Sequence, residues 1–235
     1  MNTELDFETY LYISNNKYII STFDKKDYSL IYKNEFNYEN KFSELNYNFL
    51  SEFLDKNIFK IEKLIKKFIK DIFLVIENNS HFNILISIKK KNDGNLINKK
   101  NLEYTFVELN DVFNKNYPDN ILLHMTVNNF IVDGKIFPSL IFDLKCYYFC
   151  LEVNFISLPR KIIFNLEKTL KNYQIEINKI LSGNYVKSFA VNNQIELCQM
   201  SQQINNGFNK NEIILIPKNN VENKGFFEKF FHLFG

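Results

Sequence analysis

Residues 10–34 read YLYISNNKYIISTFDKKDYSLIYKN: three runs rich in aromatic and β-branched side chains, at 10–14, 17–23 and 28–34, separated by Asn15-Asn16 and by Asp24-Lys25-Lys26-Asp27. Runs of this kind favour strands, and Asn and Asp favour tight turns because their short polar side chains satisfy the backbone locally. The stretch predicts a three-stranded antiparallel meander, so the chain begins on a sheet.

Working outward, Phe49, Leu50, Phe53, Ile61, Leu64, Ile65, Phe68 and Ile69 recur mostly at three- and four-residue spacing between lysines. This predicts an amphipathic helix over 47–70, broken near Asp55. A strand is expected over 82–88, a polar turn at 90–95, a helix over 101–116 and a stop at Tyr117-Pro118-Asp119. Two long strands follow, at 121–132, ending in Asp133-Gly134, and at 142–157. Pro159 opens an amphipathic helix to 173 with Ile162, Ile163, Leu166 and Leu170 on its inner face. Residues 175–181 alternate as a strand able to return to the first sheet, with Gly183 at its end. A polar helix over 184–204 and a short strand over 212–216 complete the body. The order of elements indicates an α+β fold without internal repeats.

The composition suits a folded interior: 46% hydrophobic and 24% charged residues, with 25 Phe and 13 Tyr in 235 residues. Net charge is +2, and Arg160 is the only arginine, which leaves little scope for bidentate recognition of phosphate or guanine. Nucleic acid is therefore not an expected partner. Cys146, Cys150 and Cys198 have no partner set for a metal and read as reduced core residues of a cytoplasmic protein. Cys146 and Cys150, an even number of residues apart in one expected strand, should face the core together. The acidic start MNTELDFETYLY does not resemble a signal peptide, and no apolar run reaches the roughly 18 residues a membrane span needs.

Catalytic chemistry has no residues to stand on. His81, His124 and His232 are not paired at metal-ligand spacing, and His124, in an alternating strand, is expected to be half-buried and hydrogen-bonded. Neither nearby cysteine has an adjacent base, and GxSxG, HExxH, Walker and CxxC patterns do not occur. The expected catalytic, cofactor-binding and metal-binding sets are all empty. The lysine run IEKLIKKFIKD at 61–71 fits the solvated face of a packed helix, or a basic face for a membrane or acidic partner.

After a polar linker, KNNVENK at 218–224, the chain ends GFFEKFFHLFG. On a helix Phe226, Phe227, Phe230, Phe231, Leu233 and Phe234 fall within an arc of about 160°, with Glu228, Lys229 and His232 opposite. An aromatic face on a polar tether suits an in-plane membrane anchor, and these six residues are the expected membrane-binding set. The competing expectation is that the same helix packs on its own core.

A resemblance to a known family adds to this reading. ILLHMTVNNFIVDGK at 121–135 resembles a strand of the FtsA family, actin-like proteins that hold the FtsZ division ring to the inner membrane. The helix from Pro159 and YQIEINKILSGNYVKSF at 173–189 are similar to that family's helix, return strand and small-residue turn. The likeness spans roughly residues 82–189, more weakly back to Tyr10, and the terminal helix matches in position. It implies a degenerate actin-like (ribonuclease H-like) subdomain over 1–88 and 174–217, an inserted FtsA-type subdomain over 89–173, a linker over 218–224 and a membrane-targeting amphipathic helix over 225–235. It further implies a peripheral adaptor at the division site on the cytoplasmic face of the inner membrane. The partners it implies are membrane lipid, FtsZ and other division proteins, with self-association through the inserted subdomain. The first hairpin, YISNNKYIIS, lacks the aspartate and glycine an actin-type phosphate turn uses, and all six glycines are isolated, so no nucleotide cofactor is expected. The chain is also too short for the family's second lobe, where FtsZ docks. Alternatives are an ATP-dependent actin-like polymerising protein, a pilus-assembly-type scaffold, and a soluble interaction domain whose last helix packs on its own core.

Overall fold

A computed structural model describes residues 6–37 and 45–215. Its strands are β1 (Phe7–Ile13), β2 (Lys17–Asp24), β3 (Leu30–Asn37), β4 (Asp71–Ile76), β5 (Phe82–Lys91), β6 (Asn120–Val132), β7 (Lys135–Phe137), β8 (Tyr148–Pro159) and β9 (Glu176–Ser182). Its helices are α1 (Tyr47–Ile65), α2 (Lys99–Asn116), α3 (Arg160–Lys171), α4 (Gly183–Asn193) and α5 (Leu197–Asn205). The protein is mixed α/β with two sheets, ordered β3-β2-β1-β4-β9 and β5-β8-β6-β7. Two compact units divide the chain, one made of Met1–His81 and Pro159–Asn206, the other of Phe82–Leu158 and Gly207–Gly235.

In the first unit β1, β2 and β3 form the expected meander, while β1/β4 and β4/β9 pair in parallel. Both faces are covered. Tyr10, Tyr12, Ile19, Phe73, Val75 and Leu181 pack with Val186 and Ala190 of α4 and with Cys198, Met200 and Ile204 of α5. The alternate residues Leu11, Ile13, Ile20, Ile72 and Leu74 are equally buried. On that side the Tyr18 ring lies 5.7 Å from Phe53 of α1. Asn46 starts α1 by accepting from the Asn48 and Phe49 amides, both at 3.1 Å. The helix is continuous through Asp55, contrary to the expected break, because Asp55 is exposed and engaged by the Tyr173 hydroxyl at 2.6 Å. It ends at Lys66, in the left-handed conformation, rather than at residue 70. Asn57, buried in mid-helix, receives Tyr32 Oη (2.6 Å) and Asn34 Nδ2 (2.7 Å), tying α1 to β3.

The second unit pairs β5 and β8 antiparallel over ten residues. Helix α2 covers one face: Leu102, Phe106, Leu109 and Phe113 join Phe149, Leu151, Val153 and Phe155 in its core. Asp133 and Gly134, both at positive φ, turn β6 into β7. The expected strand over 142–157 starts only at Tyr148, because residues 138–147 form a loop pinned by the Asp133 carboxylate, which accepts from the Tyr147 and Tyr148 amides at 3.0–3.2 Å. Cys146 is consequently buried in that loop, whereas Cys150 sits half-buried on the strand, on the face opposite Phe149 and Leu151. The two thiols do not share a core face.

The units divide at 81/82 and 158/159 rather than at 88/89 and 173/174. Strand β5 is committed to β8 along its whole length, and α3 packs with β9 and α1. The polar segment 184–204 is two helices, α4 and α5, separated at Gln194 in the left-handed conformation. Residues 212–215 supply an isolated bridge, Thr126 to Glu212, in place of a strand.

Candidate functional site

In a sheet with parallel strands, the carboxyl edge is where a ligand finds unpaired backbone and helix N-termini. In the first unit that edge is set by one row of residues, Ile13 of β1, Ile76 of β4 and Ser182 of β9. What lies just beyond the row decides its chemistry.

Beyond β1 the chain turns through Asn15-Asn16, with the Ser14 amide donating to the Lys17 carbonyl at 2.9 Å and the Ser14 hydroxyl to Asn16 Oδ1 at 2.9 Å. Two asparagines close this hairpin on its own side chain, leaving no glycine backbone open to an anion. Beyond β4 comes Glu77. Its amide donates to the Ile13 carbonyl at 2.8 Å, and its carboxylate receives the Tyr12 hydroxyl and Lys187 Nζ, the latter at 3.1 and 3.4 Å. Burial, then the bond to Glu77, holds the Tyr12 hydroxyl far above its ordinary pKa. Beyond β9, Ser182 caps α4 by accepting from the Tyr185 amide, and Gly183 follows. A Cβ on Gly183 would stand 2.6 Å from the Glu77 amide nitrogen and 2.7 Å from its Cβ. Gly183 is therefore the residue that lets α4 close directly on the end of β4.

The residues at this edge do not fit a nucleotide phosphate. The end of β4 presents a carboxylate, which would repel a phosphate, and Tyr12 and Lys187 are already committed to it.

Adjoining the edge at Lys187 is a cavity of about 310 Å³ between β2, β3 and the α4–α5 turn. Its lining includes apolar Ile19, Val191, Ile195 and Leu197 and two ion pairs, Lys17–Glu35 and Lys33–Glu196, each at 2.6 Å. The Lys17 ammonium holds the Glu35 carboxyl below its ordinary pKa. Burial pushes the Cys198 thiol, at the cavity wall, up to about 11, and raises those of Cys146 and Cys150 as well. None of the three is poised as a nucleophile.

His124, expected half-buried, is fully enclosed in the second unit, its Nδ1 2.7 Å from Glu212 Oε1. With the backbone bonds Val127 N to Asn211 O and Ile213 N to Met125 O, it fastens residues 211–213 to β6. Among the described residues no group of three His, Cys, Asp or Glu could hold a metal, and no helix is long and apolar enough to cross a membrane. The expected membrane-binding set, Phe226, Phe227, Phe230, Phe231, Leu233 and Phe234, lies outside the described residues, as does the linker.

Sequence reasoning missed the Tyr12–Glu77–Lys187 cluster. Its members are 65 and 110 residues apart in sequence, so no local spacing announces them. The only signal was an apolar run, DIFLVI at 71–76, ending in a glutamate.

No protein-family model matches the chain, and no curated protein matches it in sequence. Solved structures similar in outline include the cytoplasmic domain of EpsL, an inner-membrane component of the type II secretion system of Vibrio cholerae. That likeness has 10% identity and a TM-score of 0.39, covering 77% of this chain and 59% of that one. A PilM-PilN type IV pilus biogenesis complex gives 7% identity and a TM-score of 0.47, covering 78% and 49%. A Bacteroides thetaiotaomicron protein of unknown function with an actin-like ATPase fold gives 11% identity and a TM-score of 0.32, covering 80% and 57%. The chain spans about half to three-fifths of the length of these structures.

Proposed function

We propose that this protein is a non-catalytic scaffold, actin-like in its first unit, that organises other proteins at the cytoplasmic face of a membrane. One observation carries the reading: the sheet β3-β2-β1-β4-β9, a meander followed by two parallel strands, agrees with the actin-like subdomain that the resemblance implies, while its carboxyl edge carries Glu77 bonded to Tyr12 and Lys187. Of the alternatives weighed from the sequence, nucleotide-driven polymerisation asks most of that edge. A static scaffold of the pilus-assembly type asks least, and it is the form we favour, with a membrane-anchored assembly component as client. The division reading, with FtsZ as client, the segment 89–173 as an FtsA-type insertion and the septum as address, rests on the resemblance of residues 121–135, of the helix from Pro159 with 173–189, and of the terminal segment in its position.

Attachment is assigned to the terminal aromatic set. Burying a Phe side chain contributes roughly 1.5–3 kcal/mol before ordering costs, so six apolar residues give reversible binding that several tethered copies would strengthen. The test is vesicle co-sedimentation of the full chain and of a Phe230→Ser, Phe231→Ser variant, with FtsZ or a membrane-anchored pilus-assembly protein added in separate arms. The scaffold reading expects the wild type to pellet with vesicles and retain one of the two clients, and the variant to pellet less. Retention of neither client removes the reading, and equal pelleting of both chains removes the assignment of the tail.

A further inference from the structure

The outer face of α1 and the segment just past it carry lysines and two largely exposed aromatic rings. From Lys56 to Lys70 the chain carries six lysines and a single acid, Glu62. The helix turns Ile58, Ile61 and Ile65 inward, which at 100° per residue leaves Lys56, Phe59, Lys60 and Lys63 together on the opposite side. Phe59 is 70% exposed. Just past the helix, Lys66 in the left-handed conformation lets Ile69 return to the core, its amide held by Glu62 at 3.0 Å, and this throws Phe68 outward to 80% exposure. Exposed lysines are ordinary, but two phenylalanines open to this degree within one basic segment are not.

The charge balance identifies what the face meets. Lys56, Lys60, Lys63, Lys66 and Lys70 take part in no ion pair among the described residues. The nearby acids are otherwise engaged, Asp55 by Tyr173 and Glu62 by the Ile69 amide. Glu52, one turn before Lys56, is the one acid that shares the face. Ammonium groups on flexible stems suit a surface of many diffuse negative charges, and aromatic rings among them suit a boundary between water and hydrocarbon.

We infer that the Lys56–Lys70 face is a second membrane contact, in which the lysines meet anionic lipid headgroups and Phe59 and Phe68 enter the headgroup layer. It goes beyond the scaffold reading and stands without the terminal anchor. The terminal segment 225–235 contains a single lysine, Lys229, so sensitivity to anionic lipid is assigned to α1.

The experiment uses the full chain with phosphatidylglycerol-containing and phosphatidylcholine-only vesicles, in a tail-disrupted background (Phe230→Ser, Phe231→Ser) and with the tail intact. In the tail-disrupted background the anionic vesicles are expected to pellet the protein and the neutral ones are not. Lys56→Gln, Lys60→Gln and Lys63→Gln together should lower anionic-vesicle partitioning roughly a hundredfold, at roughly fivefold per lysine. Phe59→Gln with Phe68→Ser should lower it by roughly tenfold or more. All are surface changes, so thermal unfolding of the variants should match the parent and exclude misfolding as the cause. Failure of the tail-disrupted chain to bind anionic vesicles overturns the inference, and so does binding that the α1 variants leave unchanged. The outcomes also separate the two contacts: loss on tail disruption alone keeps the tail assignment and removes this one, while loss on α1 substitution alone does the reverse.

Discussion

β1, β2 and β4 in the first unit are buried almost without interruption, whereas β5 and, as far as Phe155, β8 in the second alternate, with inward residues under α2 and outward residues part-exposed or exposed. The first sheet has α4 and α5 on one side and α1 on the other, and its strands carry apolar residues on both faces. The second sheet keeps a half-wet face with Cys150, Glu152 and Asn154, where Asn129 Nδ2 donates to Glu152 at 2.6 Å. Stability should therefore be concentrated in the first sheet, and tolerance to change in the outer face of the second.

The sharpest way to break this contrast is a matched pair of leucines. Leu74→Ala, at a fully buried position on β4, should cost about 2–5 kcal/mol, while Leu85→Ala, at a 54% exposed position on β5, should stay within about 0.5 kcal/mol. Urea unfolding of the two variants gives the comparison, and similar costs would mean that the second sheet's outer face is covered.

Gly183→Ala comes next, because the new methyl would meet backbone rather than a movable side chain. A loss of about 1–3 kcal/mol is expected, with a change at the end of β4 visible as faster amide exchange at Glu77. An unchanged midpoint would mean that α4 can slide away from β4.

The smallest effect belongs to the cavity rim. Glu35 has a folded-state pKa lowered chiefly by Lys17, so its contribution is present above the ordinary carboxylate value, roughly 4.3, and is lost as pH falls through the lower folded value. Both side chains are about one-third exposed, which limits the pair to about 1 kcal/mol. Glu35→Gln should lower the melting temperature slightly at neutral pH and not at all at strongly acid pH.

The same contrast explains what could be read from sequence. The meander was legible because β1 and β2 are bounded by Asn15-Asn16 and Asp24 to Asp27, and turn residues are local. β6, α2 and α3 were legible from periodicity and from Pro118 and Pro159. β4 was missed: DIFLVI has no alternation, since a parallel strand covered on both sides has no polar face to show. That strand is the one that joins β1 to β9 and carries Glu77 to the site. Gly183 could be placed at the end of a strand, but its need for close approach is set by Glu77, 106 positions away in the chain, and is visible only in three dimensions. The lysines after Lys56 were legible as a face, and Phe59 joins it by the helical period; that Phe68 turns outward was decided by the helix ending at Lys66.

Calorimetric titration of magnesium-ATP into the full chain and into a Glu77→Ala variant tests most directly the proposal that Glu77, Tyr12 and Lys187 leave the first sheet's carboxyl edge unsuited to nucleotide. The wild type is expected to show no saturable heat up to millimolar nucleotide. A saturating isotherm that ADP competes away would contradict the account and return the chain to the nucleotide-dependent actin-like proteins.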